Sequence, residues 1–402
     1  MPEPASNPRR RPPTPSPIRN AAALQDAAIE LIATIGWDEA TTVRIGEAAG
    51  LTYGAVYARY GDKSELGAEL LEDVLLPLFC AELSGAIHAA LDPAAAVDFE
   101  SALKRFVHPS RTLLAAIELV LAARFDPRLA EAVFPVLVPT IATHCRPGDV
   151  HDAIEAAQGA TTAIVAIGLA LGSDRPWLAE ADMRPALHRL HAAISAPAPP
   201  LSLPNVGAEH LDSWPFDSGD PRVDALLEAT VQTVGELGYH AASVARICRN
   251  ARVNQGFLFK RYRTKFDLFH AAATTSHTAG IENTETYLAS LGEAQGIAAA
   301  EAIAWREYQR PGLAIKRSVA LESQRLARYH QELAEGIHAP EAAVLAHRTG
   351  RLGKRRLAAA IGDVHLDVAL GLGILVLPLL LPEAWSLPFS AITQPLVAGM
   401  TR

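Results

Sequence analysis

Two stretches of the chain repeat one arrangement of hydroxyl, aromatic, amide and cationic side chains. They are residues 41–63 and residues 243–265, which lie 202 positions apart (243 − 41). Hydroxyl and amide groups can hydrogen-bond to phosphates or base edges, and Arg and Lys attract phosphates. The candidate contact residues are Thr42, Arg44, Thr52, Tyr53, Gly54, Tyr57, Arg59, Lys63, Arg246, Asn254, Gln255, Gly256, Phe259, Lys260, Arg261 and Lys265.

Short helices must position these side chains. In the first stretch, Thr41 or Thr42 can cap a helix, and Ile45 and Ala49 then lie on its apolar face. Gly50 suits a turn with positive φ, after which a second helix runs to about residue 60. Two short helices across a tight turn form a helix-turn-helix, whose second helix enters the DNA major groove.

The candidate residues are expected to make different kinds of contact with DNA. Arg44 and Arg246 fall early in the first short helix, where we expect contacts to phosphate. Gln255 can pair with adenine, whereas Phe259 offers only an apolar contact. Lys63 falls in the first turn of the following helix, where a cation is unfavourable with respect to the helix dipole. A phosphate partner for Lys63 is therefore predicted.

The repeat extends beyond the two stretches. Residues 20–66 and 222–268 align without a gap, and 13 of the 47 positions are identical. A second trace appears later, where Ala123-Arg124-Phe125 recurs as Ala327-Arg328-Tyr329, at an offset of 204 (327 − 123). An ungapped repeat of this length indicates a duplicated domain, including the part that follows the helix-turn-helix.

The first copy resembles the DNA-binding domain of TetR-family transcriptional regulators. The residues that carry the resemblance are Gly36-Trp37, Thr41-Thr42-Val43-Arg44-Ile45, Ala48-Ala49-Gly50-Leu51-Thr52, Gly54, Val56-Tyr57, Tyr60 and Lys63. The second copy matches more loosely and has Arg252 where the family turn usually has Gly. A positive φ at Arg252 would cost up to about 1 kcal/mol. The resemblance implies an all-α fold, DNA as a partner, a small-molecule effector and pairing of two units.

Composition agrees with a helical protein and shows that the two copies are electrostatically unlike. Half of the 402 residues are hydrophobic, and runs rich in Ala and Leu favour helices over strands. The net charge is −8. Counting basic minus acidic residues gives 3 − 7 = −4 for residues 20–66 and 8 − 4 = +4 for residues 222–268. The second copy is therefore predicted to supply most of the salt-dependent attraction to DNA.

The chain divides into an ordered series of predicted segments. Residues 1–17 form a disordered, basic, Pro-rich arm, and residues 196–221 form a flexible linker rich in Pro, Ser and Gly. The predicted domains are a first TetR-like helix-turn-helix domain (18–66), a first helical effector domain (67–195), a second helix-turn-helix domain (222–268) and a second effector domain (269–402).

Other classes of protein are disfavoured. Three widely spaced cysteines without a CxxC pair, and an N-terminus without an apolar signal sequence, favour a cytoplasmic location. The most apolar run, residues 368–382, is shorter than the ~20 residues of a spanning helix, so a buried helix is predicted and no membrane partner. No catalytic constellation is visible, and we expect no enzymatic activity, no cofactor and no metal.

The favoured hypothesis is a sequence-specific DNA-binding transcriptional regulator, a ligand-responsive repressor that acts as an intramolecular pseudo-dimer. Burial of residues 160–171 against residues 368–381 would join its two units. A homodimer is the other arrangement considered. The alternatives are a ligand-binding or scaffold protein whose helix-turn-helix units no longer bind DNA, and a helical enzyme.

Overall fold

A computed structural model describes residues 17–400 except 58, 93, 149–151, 207–213, 215 and 350–353. The protein is 80% helical, and the described residues contain no β-strand, which confirms the all-α prediction. Apart from Pro17, the predicted arm lies outside the described residues. The chain folds as two similar helical units in succession.

The first unit begins with the helix-turn-helix and continues into a bundle of longer helices. A π-helical turn at Leu71–Leu75 joins α4 to α5, and short 3₁₀ turns precede α10. Its helices are α1 (Pro17–Glu39), α2 (Thr42–Ala48), α3 (Tyr53–Tyr57), α4 (Lys63–Leu70), α5 (Leu76–Leu91), α6 (Phe99–Val107), α7 (Arg111–Ala122), α8 (Pro127–Cys145), α9 (Ala153–Leu171) and α10 (Arg184–Ser195).

The second unit repeats this order, with one long helix where the first unit has α4, the π-helical turn and α5. Short 3₁₀ turns precede α16 and α19. Its helices are α11 (Pro221–Ala241), α12 (Val244–Asn250), α13 (Gln255–Phe259), α14 (Lys265–Gln295), α15 (Ile297–Gln309), α16 (Ala314–Ala327), α17 (Gln331–Thr349), α18 (Lys354–Leu380) and α19 (Ser390–Met400).

The same local signals start and stop the helices of both helix-turn-helix domains. The side chain of Thr41 accepts a hydrogen bond from the amide of Arg44, and that of Ser243 accepts one from Arg246, so each caps the helix that follows. Gly36 interrupts the first helix with non-helical backbone angles. It kinks the helix at φ 80°, and α1 continues to Glu39. Gly238 kinks α11 in the same way at φ 78°.

The two helix-turn-helix domains bury the same pattern of side chains. Leu24, Ile32, Ile45, Val56 and Leu66 are buried in the first domain. The buried counterparts, each 202 residues later, are Leu226, Val234, Ile247, Leu258 and Leu268. Matching cores require matching packing of the short helices, so the second domain keeps the geometry of the first despite its looser sequence.

The two units pack against each other through α9 and α18. A Cβ added at Gly168 of α9 would overlap the carbonyl oxygen of Ala369, and one at Gly373 of α18 would overlap that of Ile164. The backbones therefore approach as closely as glycine permits. Residues 160–171 and most of residues 368–381, which the sequence singled out as apolar, lie in these two helices.

Residues of the predicted linker form hydrogen bonds with helices of the second unit. The amide of Ala198 donates to the carbonyl of Ala391, and the side chain of Gln394 donates to the carbonyl of Pro199. Further along, Arg306 donates to the carbonyl of Pro204. These contacts place Ala198, Pro199 and Pro204 against α15 and α19.

Three stretches within the described residues are long and apolar enough to cross a membrane, by length and composition: Lys63–Leu91, Ala153–Asp174 and Arg356–Leu380. Protein covers 89% of the apolar window in the second stretch and 61% in the third. The apolar run at residues 368–382 lies largely in α18, where Leu372, Val376 and Leu377 are buried, as predicted.

Candidate DNA interface

The helix α3 follows the turn of the helix-turn-helix, and we call it the first reading helix because it occupies the position of the candidate base-contacting helix. Thr52 and Gly54 are exposed, and the side chain of Tyr53 lies outside the described part of the structure. Tyr57 is 41% exposed, although its hydroxyl lies 3.3 Å from the hydroxyl oxygen of Thr42. Thr42 was a candidate DNA contact, but its side chain is buried and hydrogen-bonds to Tyr57.

The helix α13 is the second reading helix and presents a different set of groups. Asn254 caps it, with Oδ1 accepting a hydrogen bond from the amide of Phe257 at 2.8 Å. Gln255 and Gly256 are exposed, and Phe259 is 49% exposed. An exposed amide and an exposed ring on one short helix can contact a base edge and a thymine methyl group, respectively.

Lys63 and Lys265 have internal partners at the kinks of the long helices. Lys63 Nζ donates to the carbonyl of Trp37 at 2.5 Å and lies 4.2 Å from the centre of its ring. Lys265 Nζ donates to the carbonyl of Tyr239 at 2.9 Å and lies 4.3 Å from its ring. Burial lowers the pKa of both ammonium groups. Backbone carbonyls are therefore the partners of Lys63 in the structure, where the sequence analysis expected a phosphate.

Comparison with known proteins identifies these domains. The family model described as "Bacterial regulatory proteins, tetR family" matches residues 24–70 and again residues 226–272. Both helix-turn-helix domains are therefore DNA-binding domains of the TetR type. The chain carries two tandem TetR-like units, and the TetR family is a family of DNA-binding transcription regulators. No curated protein matches the chain.

The cations of the first TetR-like unit are largely occupied by its own carboxylates. Arg44 forms an ion pair with Glu39 at 2.9 Å. Arg59 forms one with Glu69 at 2.5 Å and also donates to the hydroxyl of Tyr60. Each pair leaves the guanidinium partly exposed, but a phosphate would have to compete with a carboxylate already in place. This unit offers DNA little net positive charge.

The second TetR-like unit presents its cations to solvent. Arg261 is an exception, since it pairs with Asp220 at 2.8 Å and stacks on the ring of Phe257 at 4.1 Å. Arg222 also pairs with Asp220, and Lys265 donates to the carbonyl of Tyr239. Five further cations of the second helix-turn-helix domain are exposed and form no ion pair with the described residues. They are Arg246, Arg249, Arg252, Lys260 and Arg263. Because these side chains flank the second reading helix, they form a cationic rim around it.

Three members of this rim, Arg249, Arg252 and Arg263, belong to a dense basic set for which the sequence favours DNA phosphates as partners, although they were not among the candidate contacts named above. The signal available in the sequence was the density of basic residues. Arg252 has φ 55°, which confirms that this position needs the left-handed conformation that Gly50 adopts at φ 68° in the first unit. The turn geometry is therefore retained at the cost of some backbone strain, and it directs an additional cation outward.

Proposed function

We propose that the protein is a transcriptional repressor whose single chain places two unlike reading helices on one operator. The observation that carries this proposal is the presence of two helix-turn-helix domains, with differently equipped reading helices, on units that share a close helix crossing. Occupation of the operator would repress by blocking access of the transcription machinery.

Pairing within one chain is supported by the character of the contacts between the units. Gly168 and Gly373 allow α9 and α18 to cross in backbone contact. Arg175 of the first unit is buried and binds Glu341 of the second with both oxygens, at 3.0 and 2.9 Å. A buried bidentate ion pair and a tight helix crossing resemble the contacts of an obligate interface more than those of a transient one. The second unit therefore takes the place of a second chain.

The two half-sites of the operator are expected to differ. The first reading helix carries Tyr53 and Tyr57. The equivalent positions of the second reading helix carry Gln255 and Phe259. Since different side chains prefer different base edges, the two reading helices select different sequences. The exposed cations of the second unit supply most of the phosphate contacts, so this unit dominates the affinity.

An effector would bind in a groove of about 350 Å³ between α6 and α10 of the first unit. Its apolar floor includes Val107, Leu178 and Leu187, and its rim includes Lys104 and Arg184. This volume suits a small amphiphilic molecule. A screen for amphiphilic compounds that release DNA tests the assignment. Leu187→Trp, which would fill the groove, should abolish release while leaving DNA affinity unchanged.

Selection of bound sequences from a random DNA pool tests the proposed function. The full chain should enrich an operator of two unlike half-sites, and the mass of the complex should correspond to one chain per operator. Gln255→Ala and Tyr53→Ala should each alter preference in a different half-site, by about 1–3 kcal/mol per lost base contact. Arg128→Ala, in the effector domain, serves as the control.

Two outcomes would contradict the proposal. Enrichment of a palindrome bound by two chains would show that pairing occurs between chains. Absence of any enrichment would favour the alternative of a ligand-binding or scaffold protein, for which the acidic first unit is the supporting observation.

A further inference from the structure

A buried arginine lies where the two TetR-like units meet, and it contacts carboxylates of both. Arg325 Nη1 donates to Glu118 Oε1 at 2.6 Å, and Nη2 donates to Asp38 Oδ2 at 2.6 Å. Its Nε donates to Glu322 Oε2 at 3.0 Å. Glu118 and Asp38 belong to the first unit, whereas Glu322 belongs to the second. We propose that Arg325 is a positioning residue that fixes the two reading helices relative to each other, an inference that rests on the proposed function.

The two glutamates hold equivalent points of the backbone. Glu118 Oε1 accepts a hydrogen bond from the amide of Trp37 at 2.9 Å, and Glu322 Oε1 accepts one from the amide of Tyr239 at 2.9 Å. Trp37 and Tyr239 directly follow the kinks at positions 36 and 238. Each kink, which we call a neck, joins the long first helix to the helix-turn-helix. Each carboxylate therefore fixes the direction in which its reading domain leaves the bundle.

Arg325 completes an unbroken series of hydrogen bonds from one neck to the other. The series runs from the Trp37 amide through Glu118, Arg325 and Glu322 to the Tyr239 amide. All three side chains are buried, where charged groups are screened little by solvent. Movement of one neck would require the carboxylate at that neck to leave a guanidinium that also binds the other.

Aromatic rings brace the same necks across the units. The ring of Tyr329, from the second unit, covers Gly36 of the first so closely that a Cβ there would lie 2.7 Å from it. The ring of Phe125, from the first unit, covers Gly238 of the second at the same distance. Each neck therefore rests on the opposite unit, and the ionic contact reinforces an arrangement that is already reciprocal.

The arginine has no counterpart in the first unit. Glu118 and Glu322 correspond at the offset of 204 (322 − 118), but the residue that corresponds to Arg325 is Leu121 (325 − 204). The guanidinium of Arg325 thus bridges the two equivalent glutamates, in addition to its contact with Asp38. Identical units would present either two arginines, whose like charges repel, or none. Arg124 of the first unit also reaches this cluster, with Nη2 3.1 Å from Glu322 Oε2. Tandem fusion of unlike units therefore allows one arginine, Arg325, to bridge the two equivalent glutamates, while Arg124 pairs with Glu322.

The test compares the full chain with Arg325→Leu, which installs the residue found at the equivalent position, and with Glu118→Gln. The amide oxygen of Gln can still accept from Trp37, so this second variant keeps the neck bond and removes the charge that Arg325 binds. Arg128→Leu is the matched control, because Arg128 is exposed and pairs with Glu131 on its own helix. Folding is verified by circular dichroism, and Glu118→Gln carries the test if Arg325→Leu does not fold.

The first measurement needs no DNA. Spin labels are attached at Glu47→Cys and Arg249→Cys, which are equivalent exposed positions in the two helix-turn-helix domains. The distance between the labels reports the separation of the domains. The labelled chain also carries Cys80→Ala, because Cys80 is the one partly exposed cysteine among the described residues. Pulsed dipolar spectroscopy should give a narrow distance distribution for the parent and for Arg128→Leu, and a clearly broader one for both test variants. Equal widths in all chains overturn the proposal, whether or not the protein binds DNA.

The second measurement uses unlabelled chains and operators whose half-sites are separated by different distances. The parent should prefer one spacing, and the test variants should lose about tenfold of that preference while affinity for an isolated second half-site stays unchanged. Retention of the full spacing preference in both variants overturns the proposal. Failure to bind any DNA would refute the proposed function alone, because the distance distributions would still report on the positioning.

Discussion

The salt dependence of DNA binding tests how many phosphate contacts each of the two units contributes. The second unit exposes five cations without ion-pair partners among the described residues, namely Arg246, Arg249, Arg252, Lys260 and Arg263. If all five neutralise phosphates, they contribute a slope of about −4.5 to a plot of log K against log salt, at about −0.9 for each contact. Replacing Lys260 and Arg263 with Ala should therefore flatten the slope by about 1.8.

A matched pair in the first unit provides the comparison. Arg44→Ala together with Arg59→Ala removes the same formal charge, but these cations already pair with Glu39 and Glu69. The slope should change by less than about 1 for this double variant. Fluorescence anisotropy with a random-sequence duplex, at several salt concentrations from about 50 to 200 mM, measures both slopes.

Equal flattening by the two double variants would refute the reasoning, because it would show that the ion pairs of the first unit open fully on binding. An unchanged slope for Lys260→Ala with Arg263→Ala would show that the cationic rim is not on the DNA. In that case the second reading helix would have to approach DNA with another face, or not at all.

Three further predictions concern stability and backbone conformation. Gly168→Val should lower the free energy of unfolding by at least about 3 kcal/mol, because the added side chain would overlap the carbonyl of Ala369. Gly371→Ala is the control, since Gly371 faces open space on the partner helix, and it should be neutral or stabilising by up to about 1 kcal/mol. Urea titrations measure both. Burial raises the pKa of Glu322, but Arg325 and a second arginine lower it to about 2, so this carboxylate contributes stability above pH 4.5 that is lost as the pH falls toward 2. Unfolding measured from pH 6 to 2 should show the parent losing on the order of 3 kcal/mol relative to Glu322→Gln, and parallel curves would contradict this. Arg252→Gly should be more stable than Arg252→Ala by roughly 1 kcal/mol, since both remove the charge but only glycine relieves the positive φ; equal midpoints would show that the turn adapts.

The local features of this protein follow from short-range patterns in the sequence. Helix caps at Thr41 and Ser243 depend on residues three positions away, and the apolar faces follow helical spacing, so both could be predicted. The duplication was visible as identities at a constant offset. The positive φ of Arg252 was predictable because the equivalent residue in the first unit is glycine.

The partners of the individual Arg and Lys side chains could not be predicted from the sequence. The occupation of Arg59 depends on Glu69, and that of Lys63 depends on carbonyls 25 and 26 residues earlier in the chain. A list of basic residues cannot distinguish these from the exposed cations of the second unit. The sequence provides the net charges of residues 20–66 and 222–268, but which cations remain available to a phosphate is a property of the folded surface.

The contacts between the two units could be found only in the folded chain. The sequence marked residues 160–171 and 368–381 as apolar, but it did not indicate that Gly168 and Gly373 would allow the backbones to touch. It gave no sign that Arg325 joins Glu118, 207 residues earlier, to Glu322. Periodicity and capping act over a few residues, whereas a buried ion pair forms only where distant segments exclude water together. The physical reason for the division is therefore the range of the interactions involved.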